Sequence, residues 1–145
     1  MKLIIDQSLE HKEVEITIHC GLIDPALARL IEQIRLYSFS VTGRKGSSSY
    51  IIRLEDIFYF ESMDEKTFIY CDRDVFEGDL KLYQLEQQLA ETDFVRISKS
   101  CILNIMKLES VCALMNGKME AKLSNHEKVI ISRHYVQTVK EKLNL

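Results

Sequence analysis

The sequence predicts a mainly β chain with a few short helices, α+β overall. Three observations carry that expectation. After residue 44, short runs rich in β-branched and aromatic residues recur about every ten residues, the spacing of a meander of antiparallel strands. Stretches with helical spacing are few and short. Glycine and serine gather once, at Gly43-Arg44-Lys45-Gly46-Ser47-Ser48-Ser49, in a chain holding one proline and five glycines. That cluster is therefore the best linker or hairpin in the chain. A length of 145 residues suits one domain, or one domain plus a short extension. With 46% hydrophobic and 28% charged residues, the composition excludes disorder and collagen. No run approaches the ~20 apolar residues of a membrane span. Asp6 interrupts Leu3-Ile4-Ile5 where a signal peptide would continue its apolar core.

Taken in order, Leu3–Ile5 reads as a strand. A second follows, because Val14, Ile16, Ile18 and Cys20 alternate with Glu15, Thr17 and His19. Asp24-Pro25 opens a helix, with Asp as N-cap and Pro at the first helical position. Leu27, Leu30, Ile31 and Ile34 form its apolar stripe. Residues 1–44 thus read as a strand-strand-helix unit. It buries too little to stand alone, so it packs on the rest of the chain or on another subunit and is a candidate dimerisation element. Residues 45–145 form the second unit. Its expected strands are Tyr50–Arg53, Ile57–Glu61, Thr67–Cys71, Phe94–Ile97, Ser110–Leu114, Met119–Leu123 and Lys128–Ile131. One helix follows an Asp79 cap, with Leu82, Leu85 and Leu89 on one face. Another follows Ser132, with Tyr135, Val136, Val139 and Leu143 as its apolar side.

Charge divides by position. Residues 1–95 hold 10 Lys and Arg against 18 Asp and Glu; residues 96–145 hold 9 against 4. A basic final third following an acidic first part suggests that the C-terminal part meets a polyanion, or else presents a solvated basic face. Cys20, Cys71, Cys101 and Cys112 are scattered through apolar or strand-like runs with no C-x-x-C pair. They read as free thiols of a cytoplasmic, reducing compartment, with no disulfide, metal or cofactor expected.

The basic third holds the chemistry. In Arg96-Ile97-Ser98-Lys99-Ser100, strand alternation from an inward Ile97 would turn Lys99 inward too, and lysine is rarely buried unpaired. The run therefore leaves the sheet as a loop offering two hydroxyls, backbone amides and a cation to phosphate; the plain alternative is a polar turn. At Ser132-Arg133-His134-Tyr135, an arginine in a first helical turn opposes the helix dipole, whereas an anion there would be favoured. Arginine can also take guanine O6 and N7 together. Other features are weaker. Gly43–Ser47 lacks phosphate-loop spacing. His19-Cys20 has no second ligand pair, and His134 has no nucleophile elbow or orienting acid. Phe58-Tyr59-Phe60 could stack single-stranded bases, but core packing accounts better for at least two of them.

Four segments occur in order: Leu54-Glu55-Asp56-Ile57-Phe58-Tyr59-Phe60-Glu61-Ser62, Leu82-Tyr83-Gln84-Leu85-Glu86, Phe94-Val95-Arg96-Ile97-Ser98-Lys99-Ser100 with Asn104, and Ile131-Ser132-Arg133-His134-Tyr135. On these, Ile52–Leu145 resembles a LytTR domain, the DNA-binding module of LytR/AlgR-type bacterial response regulators. The resemblance implies an array of three small β-sheets with short helices, not a helix-turn-helix. It implies loops laid into successive major grooves of double-stranded DNA, at direct repeats in promoters, and no enzymatic activity. Lys99 and Arg133 match base-reading positions, and Ser98 and Ser100 match phosphate-facing ones. Lys66 or Thr67 would serve the first reading loop. Arg96 and His134, beside these positions, complete the candidate contacts. Forty-four residues cannot hold a receiver domain, so the likeness is to stand-alone LytTR regulators, often encoded beside a small membrane protein that is a candidate partner. Aspartyl phosphorylation is then not the expected switch. A homodimer is expected. The alternative is a protein-interaction module of the same fold without DNA binding.

Overall fold

A computed structural model describes the chain apart from Glu13 and Phe39, and apart from the side chains of Leu36, Tyr37 and Ser38. The two strands expected at Leu3–Ile5 and Val14–Cys20 are not formed. The described residues before Pro25 lie outside any helix or strand, and all are exposed. Alternation creates an apolar face, but a strand also needs a ladder partner, and these residues have none among the described residues. Helix α1 (Pro25–Ser38) starts as expected: Asp24 Oδ1 accepts the Leu27 N–H at 2.8 Å and the Asp24 carbonyl accepts the Ala28 N–H at 2.9 Å. Its half-buried Leu27, Ile31 and Ile34 form the stripe by which it lies against a 3-10 turn at Leu54–Asp56.

The expected boundary near residue 44 falls inside a hairpin. Strand β1 (Ser40–Lys45) pairs with β2 (Ser48–Arg53), Lys45 opposite Ser48. The two-residue loop has Gly46 at φ 63° and Ser47 at negative φ, the pattern of a II′ turn. Gly43 is a core position. A Cβ there would come within 2.7 Å of Ile52 Cδ1 and Phe76 Cβ. Its glycine marks close packing between strands, and the linker alternative is thereby excluded.

Then come β3 (Ile57–Met63), β4 (Lys66–Cys71), β5 (Val75–Gly78), helix α2 (Leu82–Gln88), β6 (Phe94–Ser98), β7 (Cys101–Asn104), β8 (Leu108–Ala113), β9 (Met119–Leu123), β10 (Lys128–Ile131) and helix α3 (Arg133–Leu143). All strand pairs are antiparallel. Where three small sheets are implied, the strands hydrogen-bond into two, of order β2-β1-β5-β4-β3-β7-β6 and β10-β9-β8. Asp79 does not cap α2. Its carboxylate takes the Arg44 guanidinium, and the cap position is Lys81, whose N–H donates to Gln84 Oε1 at 2.9 Å.

The larger sheet is buried on both faces where β3, β7 and β6 lie, and more exposed at β2 and β1. Phe60, Ile69, Ile102 and Phe94 pack with α2 through Leu82, Leu85 and Leu89. Phe58, Tyr59, Val95, Ile97 and Leu103 pack against the smaller sheet and Val139 of α3. Phe58, Tyr59 and Phe60 are all buried, so none stacks on a base. Each fully buried side chain of this size contributes roughly 1.5–3 kcal/mol. Tyr59 Oη donates to Glu127 Oε2 at 2.8 Å and ties the β9–β10 turn to the large sheet. Buried Asn104 donates to the Ile57 carbonyl at 2.9 Å and accepts from Met106 N–H at 3.0 Å, so it is satisfied at both ends.

Candidate nucleic-acid interface

Three loops, remote in sequence, meet at one end of the two sheets. The first is the β6–β7 turn. Its pairing shifts by one residue between Arg96 and Ser98, a β-bulge at Ile97. The bulge leaves Lys99 and Ser100 as a two-residue turn, with Lys99 in solvent and Ile97 in the core. Ile97 and Lys99 are thus parted, as the rarity of buried lysine requires. Ser98 Oγ accepts the Ser100 N–H at 3.2 Å. The second loop is the β10–α3 junction: the bulged Ile97 carbonyl accepts the Ser132 N–H at 2.8 Å, which brings the start of α3, and so Arg133, beside the turn. Lys142 at the far end of α3 donates to the Phe94 carbonyl at 2.8 Å. Both ends of α3 are therefore pinned to β6.

The third loop is the β3–β4 turn. Ser62 N–H donates to the Ser100 carbonyl at 2.8 Å. Asp64 and Glu65 both adopt positive φ, 51° and 64°, in residue types that tolerate it less well than Gly or Asn. Lys81 Nζ donates to the Glu65 carbonyl at 2.8 Å and holds this turn from α2. Local strain of this kind persists where surrounding structure enforces it.

The expected site residues divide by exposure. Lys66, Lys99, Ser100, Arg133 and His134 are exposed, and Ser98 is half-buried. Thr67 is 4% exposed and opposite Ser62 in the ladder, so of the first-loop pair only Lys66 offers its side chain to a ligand. Arg96 is 17% exposed in its side chain. Its Nε donates to the Ser98 carbonyl at 2.7 Å, one terminal nitrogen donates to the Lys99 carbonyl, and the other to Glu86 Oε2 at 2.9 Å. Sequence reasoning missed two residues here. Glu86 holds Arg96 from α2. Gly117, at φ 76°, lies so close under the Arg133 stem that a Cβ would sit 2.9 Å from Arg133 Cδ. Both act through tertiary contacts that no local spacing encodes.

What this end can do is electrostatic and geometric. It presents three cations on three loops, hydroxyls beside the central one, and the amide-rich start of an 11-residue helix with no acid in its first turn. Groups of this kind suit a polyanion, with the exposed acids Asp64 and Glu65 beside Lys66 opposing it. Among the described residues no cluster of three or more His, Cys, Asp or Glu could hold a metal ion, and no helix is long and apolar enough to cross a membrane.

Residues 47–144 match the family model of the LytTr DNA-binding domain. The chain belongs to the LytTR family. The chain is similar to the sensory transduction protein LytT of Enterococcus faecalis, 33% identical over 96 residues; the match covers 66% of this chain and 40% of LytT. Over 147 residues, 100% of this chain and 99% of the relative, the chain is 27% identical to an uncharacterized HTH-type transcriptional regulator of Staphylococcus aureus. The fold is similar to that of the LytTr DNA-binding domain of a Bacillus cereus response regulator, with TM-score 0.69 and 20% identity over 73% of this chain and 97% of that domain. In this LytTR chain α2 and α3 are separated by five strands, so the two do not form a helix-turn-helix.

Proposed function

We propose that this LytTR chain binds double-stranded DNA sequence-specifically at promoters and regulates transcription. The observation that carries the reading is the backbone pair Ile97–Ser132 and Ser62–Ser100, which gathers Lys66, Lys99 and Arg133 onto one end. Lys99 and Arg133 read base edges, Ser98 and Ser100 meet phosphates, and the loops enter successive major grooves. A net charge of −3 is no obstacle, because the relevant field is local to this basic end. Two copies, joined through the N-terminal segment, occupy direct repeats.

The test is binding of the full chain to its selected duplex and to a random duplex of equal length. Lys99→Ala and Arg133→Ala should each cost about 1–3 kcal/mol on the selected site and less on the random one. Equal losses on both duplexes would make the two residues phosphate contacts. Absence of duplex binding at low salt would replace this reading with the protein-interaction module.

A further inference from the structure

Lys99 sits on a turn that needs support from its surroundings. Neither Lys99 nor Ser100 has positive φ, so the turn lacks the primed geometry that suits a two-residue hairpin loop. Ser100 is held by Ser98 Oγ and by the Ser62 N–H, whereas the Lys99 carbonyl is held by Arg96, one side chain that reaches forward along its own strand. The guanidinium donates to two successive carbonyls, those of Ser98 and Lys99, and its remaining terminal nitrogen is held by the Glu86 carboxylate on α2. A planar fork meets three acceptors in this way, and an ammonium cannot reproduce it. Three of the five guanidinium N–H donors, one on each nitrogen, are thus taken by protein acceptors, in a side chain only 17% exposed. Little of the group is left open to a phosphate.

We infer that Arg96, held by Glu86, is a positioning residue that fixes the Lys99–Ser100 turn for sequence reading and does not itself contact DNA. This rests on the reading of the turn as DNA-facing. It assigns α2 a part in specificity, although none of its side chains needs to touch the duplex.

Two substitutions separate positioning from contact. Arg96→Lys keeps the charge and loses the fork. A phosphate contact would survive it. A positioning residue would not, and affinity for the selected duplex should fall about tenfold, the scale of one lost base contact, with random-duplex affinity and its salt slope unchanged. Glu86→Gln removes an acid near a polyanion site. Simple electrostatics predicts tighter binding, whereas loss of the guanidinium's anchor predicts weaker binding to the selected duplex. Amide hydrogen exchange in the DNA-free protein supplies an independent readout. Exchange at Lys99–Cys101 should speed up in Arg96→Lys while the melting temperature stays near that of the parent. Parent-like selected-duplex affinity for Arg96→Lys, tighter binding by Glu86→Gln, or unchanged exchange at the turn would each overturn the inference. Lys99→Ala, measured alongside, distinguishes the two levels. If it is silent on both duplexes the turn is not DNA-facing, and the DNA-positioning role falls with that reading even where the exchange result shows the clamp itself.

Discussion

Val14–Cys20 and β9 carry similar patterns and meet opposite fates. Each alternates apolar and polar residues along the pleat. In β9, Ala121 and Leu123 have no exposure, with β8 on one side and β10 on the other. In the N-terminal segment, Ile16 is 57% exposed and unpaired among the described residues. Periodicity reports which face of a strand would be apolar; the ladder depends on a partner whose identity lies elsewhere in the chain or on another chain. The N-terminal segment has the first and lacks the second, which is why a second copy remains its proposed occupant.

The most disruptive way to probe this contrast is truncation. Removal of residues 1–23 takes away no strand and, in dilute solution, should leave one cooperative thermal transition near the parental temperature. Removal of residues 1–46 takes away β1, which lies between β2 and β5. It exposes Ile52 and Phe76 around the lost Gly43, and the cooperative transition should disappear. Circular dichroism melts of both chains check this. A 47–145 fragment that melts like the parent would show that β1 is dispensable, and the expected boundary near residue 44 would be restored.

Single substitutions draw the same contrast at smaller scale. Phe60→Ala opens a cavity at a site with no exposure and should cost about 3–5 kcal/mol in denaturant unfolding. Ile16→Ala should cost less than about 0.5 kcal/mol in dilute solution. If the N-terminal segment is covered by a second copy, the Ile16→Ala penalty should grow with protein concentration, because dimer stability is linked to protomer concentration. A penalty at Ile16 that is large at every concentration would place that side chain against its own chain.

The strands legible in the sequence were those with one face on each core or a clear alternation, and all seven expected after residue 44 are present. Three others were not legible, each for a physical reason. β1 is interrupted by Gly43, which sits where two side chains meet. β5 is four residues long and ends on Gly78, whose Cβ would come 3.2 Å from Ile69. β7 is buried throughout, so it has no polar face to alternate with. At the interface, Lys99 and Arg133 were legible because a cation beside hydroxyls or at a helix start is a local signal. The burial of Thr67 was not, since it depends on the strand's register. Nor was the engagement of Arg96, which depends on where α2 places Glu86.

The finest distinction between the two regions lies where α1 meets the domain. The domain holds itself together by apolar burial, whereas α1 brings charge to the junction. Arg35 and Glu91 pair at 3.9 Å with both side chains at least half exposed, a contact worth little in water. Beside it, Asp93 is held above the usual carboxylate range, first by partial burial and then by Glu32 of α1, with Lys142 opposing. Burial likewise lowers the Lys142 ammonium. The sign follows from linkage. A carboxylate whose folded value is raised favours the fold when protonated, so its contribution is present below the unfolded value of about 3.9 and is lost as pH rises through the folded value. Ionised Asp93 therefore costs the folded state a little at neutral pH. Asp93→Asn should stabilise the chain at pH 7 by less than about 0.5 kcal/mol, given the solvent screening of a half-exposed group. The gain should vanish near pH 3, where both forms are neutral. Glu32→Gln should recover less than that gain at pH 7, because it removes the repulsion on Asp93 together with the attraction between Glu32 and Lys142. Denaturant unfolding at the two pH values checks both variants. If Glu32→Gln has no effect while Asp93→Asn keeps its gain, the repulsion and the attraction at Glu32 cancel, and α1 meets the domain without a net electrostatic cost.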